Sequence, residues 1–136
     1  MPLIAWNEEL SVGVALLDEE HKQLVSLLNE FYDAVEAGEA KDVLGNILDR
    51  LIQYVRFHFE SEEQLLQQSG YADYAAHKKL HEDLTRQLLR AQEKCKNGAT
   101  AALSAEIMLF FKNWLLNHIL GTDKKYGPPL NSIGIH

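Results

Sequence analysis

The sequence predicts an all-α protein, an up-down-up-down four-helix bundle with an extended N-terminal arm. Apolar residues recur every three or four positions along four segments, and no segment has the alternating pattern of a β-strand. Short turns that contain glycine separate the segments. Short connections favour antiparallel neighbours packed around one core, so we expect a single domain over residues 1–136.

The chain begins with a segment that has no sustained helical period, residues 1 to about 17. We expect an extended arm there, which Trp6 anchors against the bundle. The first helix is predicted over about 18–37. Asp18 would place negative charge at its N-terminus, where the helix dipole favours it.

The remaining helices are predicted over three segments with the same apolar period, about 41–68, 73–96 and 101–120. The stripe of the fourth directs both Phe110 and Phe111 towards the core, and Gly121 ends it. Pro128 and Pro129 are predicted to keep the tail that follows from becoming helical.

Composition excludes several classes of partner. The chain has 20 acidic and 13 basic residues, a net charge of −7 and no basic cluster, which argues against nucleic acid and against an anionic membrane surface. No apolar run approaches the roughly 20 residues of a membrane span, and the N-terminal residues do not form an export signal. With Cys95 as its only cysteine and no evident apolar patch, we expect a cytoplasmic monomer.

Five of the six histidines fall on core-facing positions of the four predicted helices: His21, His58, His77, His81 and His118. Glu62 follows His58 by four residues, and His81 follows His77 by four, so each pair projects from one helix face. A lone histidine there would more often be a hydrogen-bonded core residue, and an exposed His58/Glu62 pair would be a surface interaction. Five buried imidazoles beside a buried carboxylate carry a heavy desolvation cost, and a bound metal would offset it.

Asp123 is a further candidate ligand from outside the helices. It follows His118 by five residues and would point about 140° away from it on a continuous helix. Gly121 lets the backbone leave the helix first, so the carboxylate could fold over the end of the bundle. A solvated loop aspartate is the alternative, and the spacing alone permits both.

The donors are too many for one ion. Imidazole and carboxylate together suit iron among the redox metals. If two six-coordinate irons share two bridging carboxylates and one bridging oxygen from solvent, one coordination position stays open. An open position on a two-electron centre is a place for a small diatomic ligand.

The set His21, His58-x3-Glu62, His77-x3-His81 and His118-x4-Asp123 resembles the ligand pattern of the hemerythrins. The sequence around these residues is similar to the bacterial branch of that family, in Trp6 and in the segments GYADYAAHKKLH and WLLNHILGTDKKYG. The resemblance covers essentially the whole chain and shows no departure at a ligand position.

The resemblance implies reversible O2 binding at two iron ions. His77, His81 and His118 would hold a six-coordinate iron, and His21 and His58 would hold the iron that binds O2. Glu62, Asp123 and a solvent-derived oxo or hydroxo group would bridge the two ions.

Apolar residues beside the ligands are expected to line an O2 pocket: Leu115, Ile119, Trp114, Phe59 and Val25. Leu115 matches a pocket leucine of the family, whereas the other four could equally be ordinary core residues. Such a pocket offers O2 no proton donor, so we expect a binding protein for oxygen storage, delivery or sensing, without catalytic residues. The alternatives are a di-iron oxidase, a peroxidase or nitric-oxide-reducing enzyme, and an iron-handling protein.

Overall fold

The computed structural model of the chain describes residues 2–98 and 101–136. Its four long helices are α1 (Ala15–Glu36), α2 (Lys41–Gln68), α3 (Tyr74–Gly98) and α4 (Ala101–Gly121). Helix α1 packs against α2 and α4, and α3 packs against the same two helices. The described residues contain no strand. The predicted four-helix bundle is confirmed, and the four predicted helix ranges agree with the observed ones to within three residues.

Each helix buries the apolar face that its sequence predicts, with one exception in α4. Phe111 is buried at 1% exposure, but Phe110 is 39% exposed, so the prediction that both face the core is wrong for Phe110. Adjacent residues on a helix point about 100° apart, and the core accommodates only one of the two rings.

Helix α1 begins at Ala15, three residues before its predicted start, so that Asp18 lies within its first turn. The Asp18 carboxylate accepts hydrogen bonds from the Val12 backbone N–H at 2.8 Å and from the Ser11 hydroxyl at 2.6 Å. The side chain thereby ties the arm to the helix N-terminus, where its negative charge is favourable.

The N-terminal arm lies along the bundle and contains one 3-10 turn, Glu8–Leu10. The Asn29 side chain fixes it by accepting from the Ile4 N–H at 2.9 Å and donating to the Ile4 carbonyl at 2.8 Å. Trp6 is half-buried against the core, and Lys22 Nζ lies 5.5 Å from the centre of its indole ring.

The chain after α4 forms a second ordered segment, a 3-10 turn (Asp123–Tyr126) that leads into α5 (Gly127–Ser132). The prediction that prolines keep this tail non-helical is wrong: Pro128 and Pro129 occupy the first turn of α5, where no intrahelical N–H bond is lost. We call residues 122–132 the C-terminal cap.

The cap packs tightly on the N-terminal arm. A Cβ at Gly127 would lie 2.4 Å from the Val12 carbonyl oxygen, so only glycine permits this approach. The Asn131 side chain donates to the Gly13 carbonyl at 2.9 Å. The two ends of the chain therefore hold each other in place at one end of the bundle.

Among residues 2–98 and 101–136, no helix combines the length and the apolar character that crossing a membrane requires.

Candidate metal centre

The seven residues predicted as ligands are all buried in the bundle, with 0–6% of each residue exposed. They come from every long helix and from the cap. Five of them offer donor atoms within 4.8 Å of one another: Glu62, His77, His81, His118 and Asp123. We call these the five-donor group. His21, His58 and Glu62 form a second group of the same kind, the three-donor group.

Glu62 belongs to both groups and turns one oxygen towards each. Its Oε1 lies 2.5 Å from His77 Nε2 and 3.2 Å from His81 Nε2. Its Oε2 lies 3.3 Å from His58 Nε2 and 3.5 Å from His21 Nε2. One carboxylate on α2 thus separates the two groups and contacts both.

Asp123 also spans the two groups. Its Oδ1 lies 2.9 Å from His118 Nε2 and 3.1 Å from His77 Nε2, and its Oδ2 lies 3.2 Å from His21 Nε2. The side chain is 1% exposed, so it is not a solvated loop residue. Helix α4 ends at Gly121 and the 3-10 turn that follows directs the carboxylate back over the bundle.

Polar atoms converge here without satisfying one another. Both ring nitrogens of His21 and both carboxylate oxygens of Asp123 are buried and have no partner with hydrogen-bond geometry, although their distances are short. His81 Nε2 also faces His118 Nε2 at 3.1 Å. Unpaired buried polar groups are costly. The two facing imidazole nitrogens hydrogen-bond when one of them carries a proton, and both can instead direct their lone pairs at a shared cation. The donor set fits a metal pair, and its imidazole and carboxylate atoms suit iron.

Two further carboxylates fix the orientation of histidines from outside the cluster. Glu20 accepts from His58 Nδ1 at 2.6 Å and from the Ser61 hydroxyl at 2.8 Å. Glu63 lies 2.8 Å from His81 Nδ1. When Nδ1–H donates outwards, Nε2 keeps its lone pair directed into the cluster, which is the arrangement that metal-binding histidines require.

The charges of the metal-free cluster compensate each other. Burial alone would lower the pKa of His21, but the carboxylates of Asp123 and Glu62, which lie 3.2 and 3.5 Å from its Nε2, raise that pKa to about 10. Burial also lowers the pKa of His77, but Asp123 and Glu62 outweigh that effect and raise the pKa to about 9. Burial opposes ionisation of Glu62, yet the charge of His58 and the close approach of His21 and His77 hold its pKa well below the usual range.

The pKa of Asp123 is also lowered, by His118, His21 and His77 acting against burial and the Glu62 charge. Burial lowers the pKa of His118 itself. Without metal, protons on histidines supply the positive charge that the two carboxylates need. Metal ions would take over that charge, since histidine binds them in its neutral form.

Two of the five predicted pocket residues stack on the histidines of the five-donor group. The Phe59 ring is parallel to His81 at 3.7 Å between centroids, and Trp114 lies 4.3 Å from His118 at an interplanar angle of 14°. Phe59 is 6.0 Å from the nearer histidine of the three-donor group, His58. These ring contacts favour a packing role beside the five-donor group over the predicted pocket role.

The other three predicted pocket residues are aliphatic and almost fully buried: Val25 at 4%, Leu115 at 2% and Ile119 at 0% exposure. Leu115 and Ile119 lie three residues before and one residue after His118 on α4. Val25 follows His21 by four residues on α1, so it projects from the same helix face.

Sequence reasoning missed three residues that contact the cluster. Glu20 could have been found, because it lies three residues after Leu17 and four before Leu24 on the buried face of α1. Glu63 is off the buried stripe and gave no signal. Tyr126, in the cap, is fully buried and donates its hydroxyl to Glu62 Oε2 at 2.9 Å. Burial and the nearby carboxylate charges raise the pKa of Tyr126 well above its usual value, so the phenol stays protonated.

Comparison with known proteins agrees with this geometry. The model of the hemerythrin HHE cation binding domain matches residues 12–130. A bacteriohemerythrin from Methylococcus capsulatus is 38% identical over 97% of this chain and 100% of its own length. A myohemerythrin from Theromyzon tessulatum is 34% identical over 89% of this chain and 88% of its own length.

Solved structures lead to the same family. The crystal structure of a wild-type hemerythrin superimposes with a TM-score of 0.84 at 36% identity, over 94% of this chain and 98% of that one. The resemblance inferred from the ligand spacing is therefore confirmed, and the donor set fits the di-iron site that this family implies. The chain belongs to the hemerythrin family.

Proposed function

We propose that this protein binds O2 reversibly at a non-haem di-iron centre, for oxygen storage, delivery or sensing. The observation that carries the proposal is the convergence of seven buried donors into two groups that share Glu62, with His21 and Asp123 left without hydrogen-bond partners. The family membership of the chain supports it.

The assignment of residues to the two ions is part of the proposal. His77, His81 and His118 would hold one iron, and His21 and His58 would hold the iron that binds O2. Glu62 and Asp123 would bridge the ions, together with an oxo or hydroxo group from solvent. The two-sided contacts of Glu62 and Asp123 support the bridging role, because each carboxylate turns one oxygen to each side.

The side chains near the open coordination position determine whether bound O2 is released or reduced further. The iron pair, when bound, supplies the electrons that O2 needs. Val25, Leu115 and Ile119 exclude water and offer no proton, which favours release of O2 over its further reduction. We retain these three as the O2 pocket. Phe59 and Trp114 remain pocket predictions, and their rings stack on His81 and His118 of the five-donor group.

Several broader expectations remain proposals of the same kind. We propose a binding protein without catalytic residues, one domain over residues 1–136, a monomer and a cytoplasmic location. The family model matches most of the chain, residues 12–130, which supports the single domain. The net charge of −7 supports the absence of a nucleic-acid partner.

The test is anaerobic reduction of the iron-loaded protein, addition of O2, and removal of O2 under argon, followed by visible absorption. A band that depends on iron, appears with O2 and disappears under argon is expected. A band that never forms, together with catalytic consumption of O2 by an added reductant, would favour the oxidase alternative. Rapid loss of iron to a weak chelator would favour an iron-handling protein.

A further inference from the structure

Tyr126 is a buried polar residue outside the seven predicted ligands. Its side chain is fully buried, and its hydroxyl lies 2.9 Å from Glu62 Oε2. Ring contacts place it 5.8 Å from His77 and 6.4 Å from Tyr71. Burying a tyrosine hydroxyl is favourable only when it has a partner, and here that partner is the carboxylate common to both donor groups.

The oxygen that Tyr126 contacts is the one directed at the three-donor group. Glu62 Oε2 faces His58 and His21, whereas Oε1 faces His77 and His81. The terminal torsion of a glutamate is broad, so a carboxylate on α2 needs an external contact to fix the plane of its oxygens. A neutral O–H donor can remain bonded to Oε2 while that oxygen also binds a cation, because each carboxylate oxygen accepts more than one contact.

Tyr126 belongs to the cap, which packs on the N-terminal arm. Gly127, the next residue, lies directly against the Val12 carbonyl oxygen, and Asn131 donates to Gly13. The arm in turn is tied to α1 through Asp18. The hydroxyl is therefore held by a rigid segment that does not depend on the position of Glu62.

The two donor groups depend on Glu62 to different degrees. The five-donor group contains Asp123 and three histidines besides Glu62, whereas the three-donor group has only two histidines besides Glu62, with Asp123 Oδ2 3.2 Å from His21. A misdirected Glu62 would thus leave two histidines and one Asp123 oxygen on the smaller side and four donors on the larger one.

We infer that Tyr126 is a positioning residue that aims Glu62 Oε2 at the His21/His58 side and so determines the affinity of the second metal ion. The inference rests on the proposed two-metal function, but concerns metal binding and not O2. The first ion occupies the five-donor group with or without the Tyr126 hydroxyl. The second ion occupies the three-donor group tightly only when the hydroxyl is present.

The experiment is titration of the metal-free full-length chain with Co²⁺ against a competing chelator, followed by visible absorption of the bound ion. Tyr126→Phe keeps the ring and removes the hydroxyl. The dissociation constant of the weaker step should rise about 10–100-fold, which is typical for loss of an outer contact to a ligand. The stronger step should change less than about threefold. His21→Ala should remove the weaker step and so assign it to the three-donor group.

Tyr71→Phe is the matched control, since it removes a hydroxyl from the neighbouring ring and Tyr71 has no hydrogen bond to Glu62. Both of its constants should equal those of the wild type. Replacement of Tyr126 by 4-aminophenylalanine, which restores an N–H donor at the same ring position, should recover the weaker step. It also keeps the test usable if Tyr126→Phe folds poorly.

Two results would overturn the inference. One is a Tyr126→Phe protein whose weaker constant lies within about threefold of the wild type or is tighter. The other is an equal loss at both steps, which would mean that Tyr126 only supports the cap and Asp123. Because no step of this titration involves O2, a failed O2 assay with a selective Co²⁺ effect would reject the proposed function and leave the role of Tyr126 standing.

Discussion

The two sides of the donor cluster differ in what surrounds their histidines. On the five-donor side, His81 and His118 are each covered by a parallel aromatic ring, and a nitrogen of each faces the other. On the three-donor side, His21 has no hydrogen-bond partner at either nitrogen, and His58 is held by the buried Glu20. The five-donor side therefore has more protein donors and two stacked rings, and the three-donor side has fewer donors.

The difference teaches how one fold can make two unequal metal positions from similar residues. Helices α3 and α4, with the cap, bring four donors to one side, and Glu62 adds the fifth. Helices α1 and α2 bring His21, His58 and Glu62 to the other, which Asp123 Oδ2 also reaches. A position short of protein ligands is the one that can take an external molecule, as open catalytic metal sites do.

The largest expected effect comes from Glu62, which contributes to both sides. In Glu62→Ala, bound iron should fall to one ion per chain or fewer, and the O2-dependent band should be lost, because the three-donor side keeps only two histidines and one oxygen of Asp123. Iron analysis after gel filtration measures this, with circular dichroism to verify folding. Glu60→Ala, an exposed change on the same helix, is the control. Retention of both ions in Glu62→Ala would contradict a shared carboxylate.

Next comes a direct comparison of the sides. His21→Ala should leave one iron per chain, since His58 is then the only histidine beside the shared carboxylates on that side. His81→Ala leaves four donors in the larger group and should retain more iron. Iron retained during dialysis against a chelator distinguishes the two variants. If His81→Ala loses more iron than His21→Ala, the assignment of the weaker side is reversed.

A smaller difference is expected between the outer carboxylates. Glu20→Gln should weaken metal binding about 10–100-fold, because it removes a buried negative partner of His58. Glu63→Gln should have a smaller effect, since its side chain is 18% exposed and water can replace part of its contact with His81. Competition titrations with Co²⁺ measure both. Equal losses of metal affinity in the two variants would mean that burial of the outer carboxylate does not affect metal binding.

The smallest expected effect concerns the proposed O2 pocket. Leu115→Ala should admit water and speed autoxidation of the O2-bound protein several-fold, at a stability cost of about 2–5 kcal/mol. Leu48→Ala, a buried change on α2 ten residues before His58, should cost similar stability without the faster autoxidation. The decay of the O2-dependent band at constant temperature measures the rate. An unchanged rate in Leu115→Ala would count against its pocket role.

Much of this molecule could be predicted from its sequence because helices are local. A period of three to four residues fixed the four long helices and the inward direction of His21, His58, Glu62, His77 and His81. Errors arose where a contact with a residue outside the helix decided the outcome. The start of α1 depends on how Asp18 bonds to the arm, and the helical cap depends on its packing against Val12.

The sequence by itself thus determined the fold class, the family and the candidate donor residues, since residue type and periodicity carry that information. Only the tertiary structure decided which residues surround each donor group. It placed Phe59 and Trp114 against the five-donor histidines, Glu20 behind His58, and Tyr126 on Glu62. These contacts join different elements of the chain, and their geometry depends on how the elements pack, which no pattern within one element encodes.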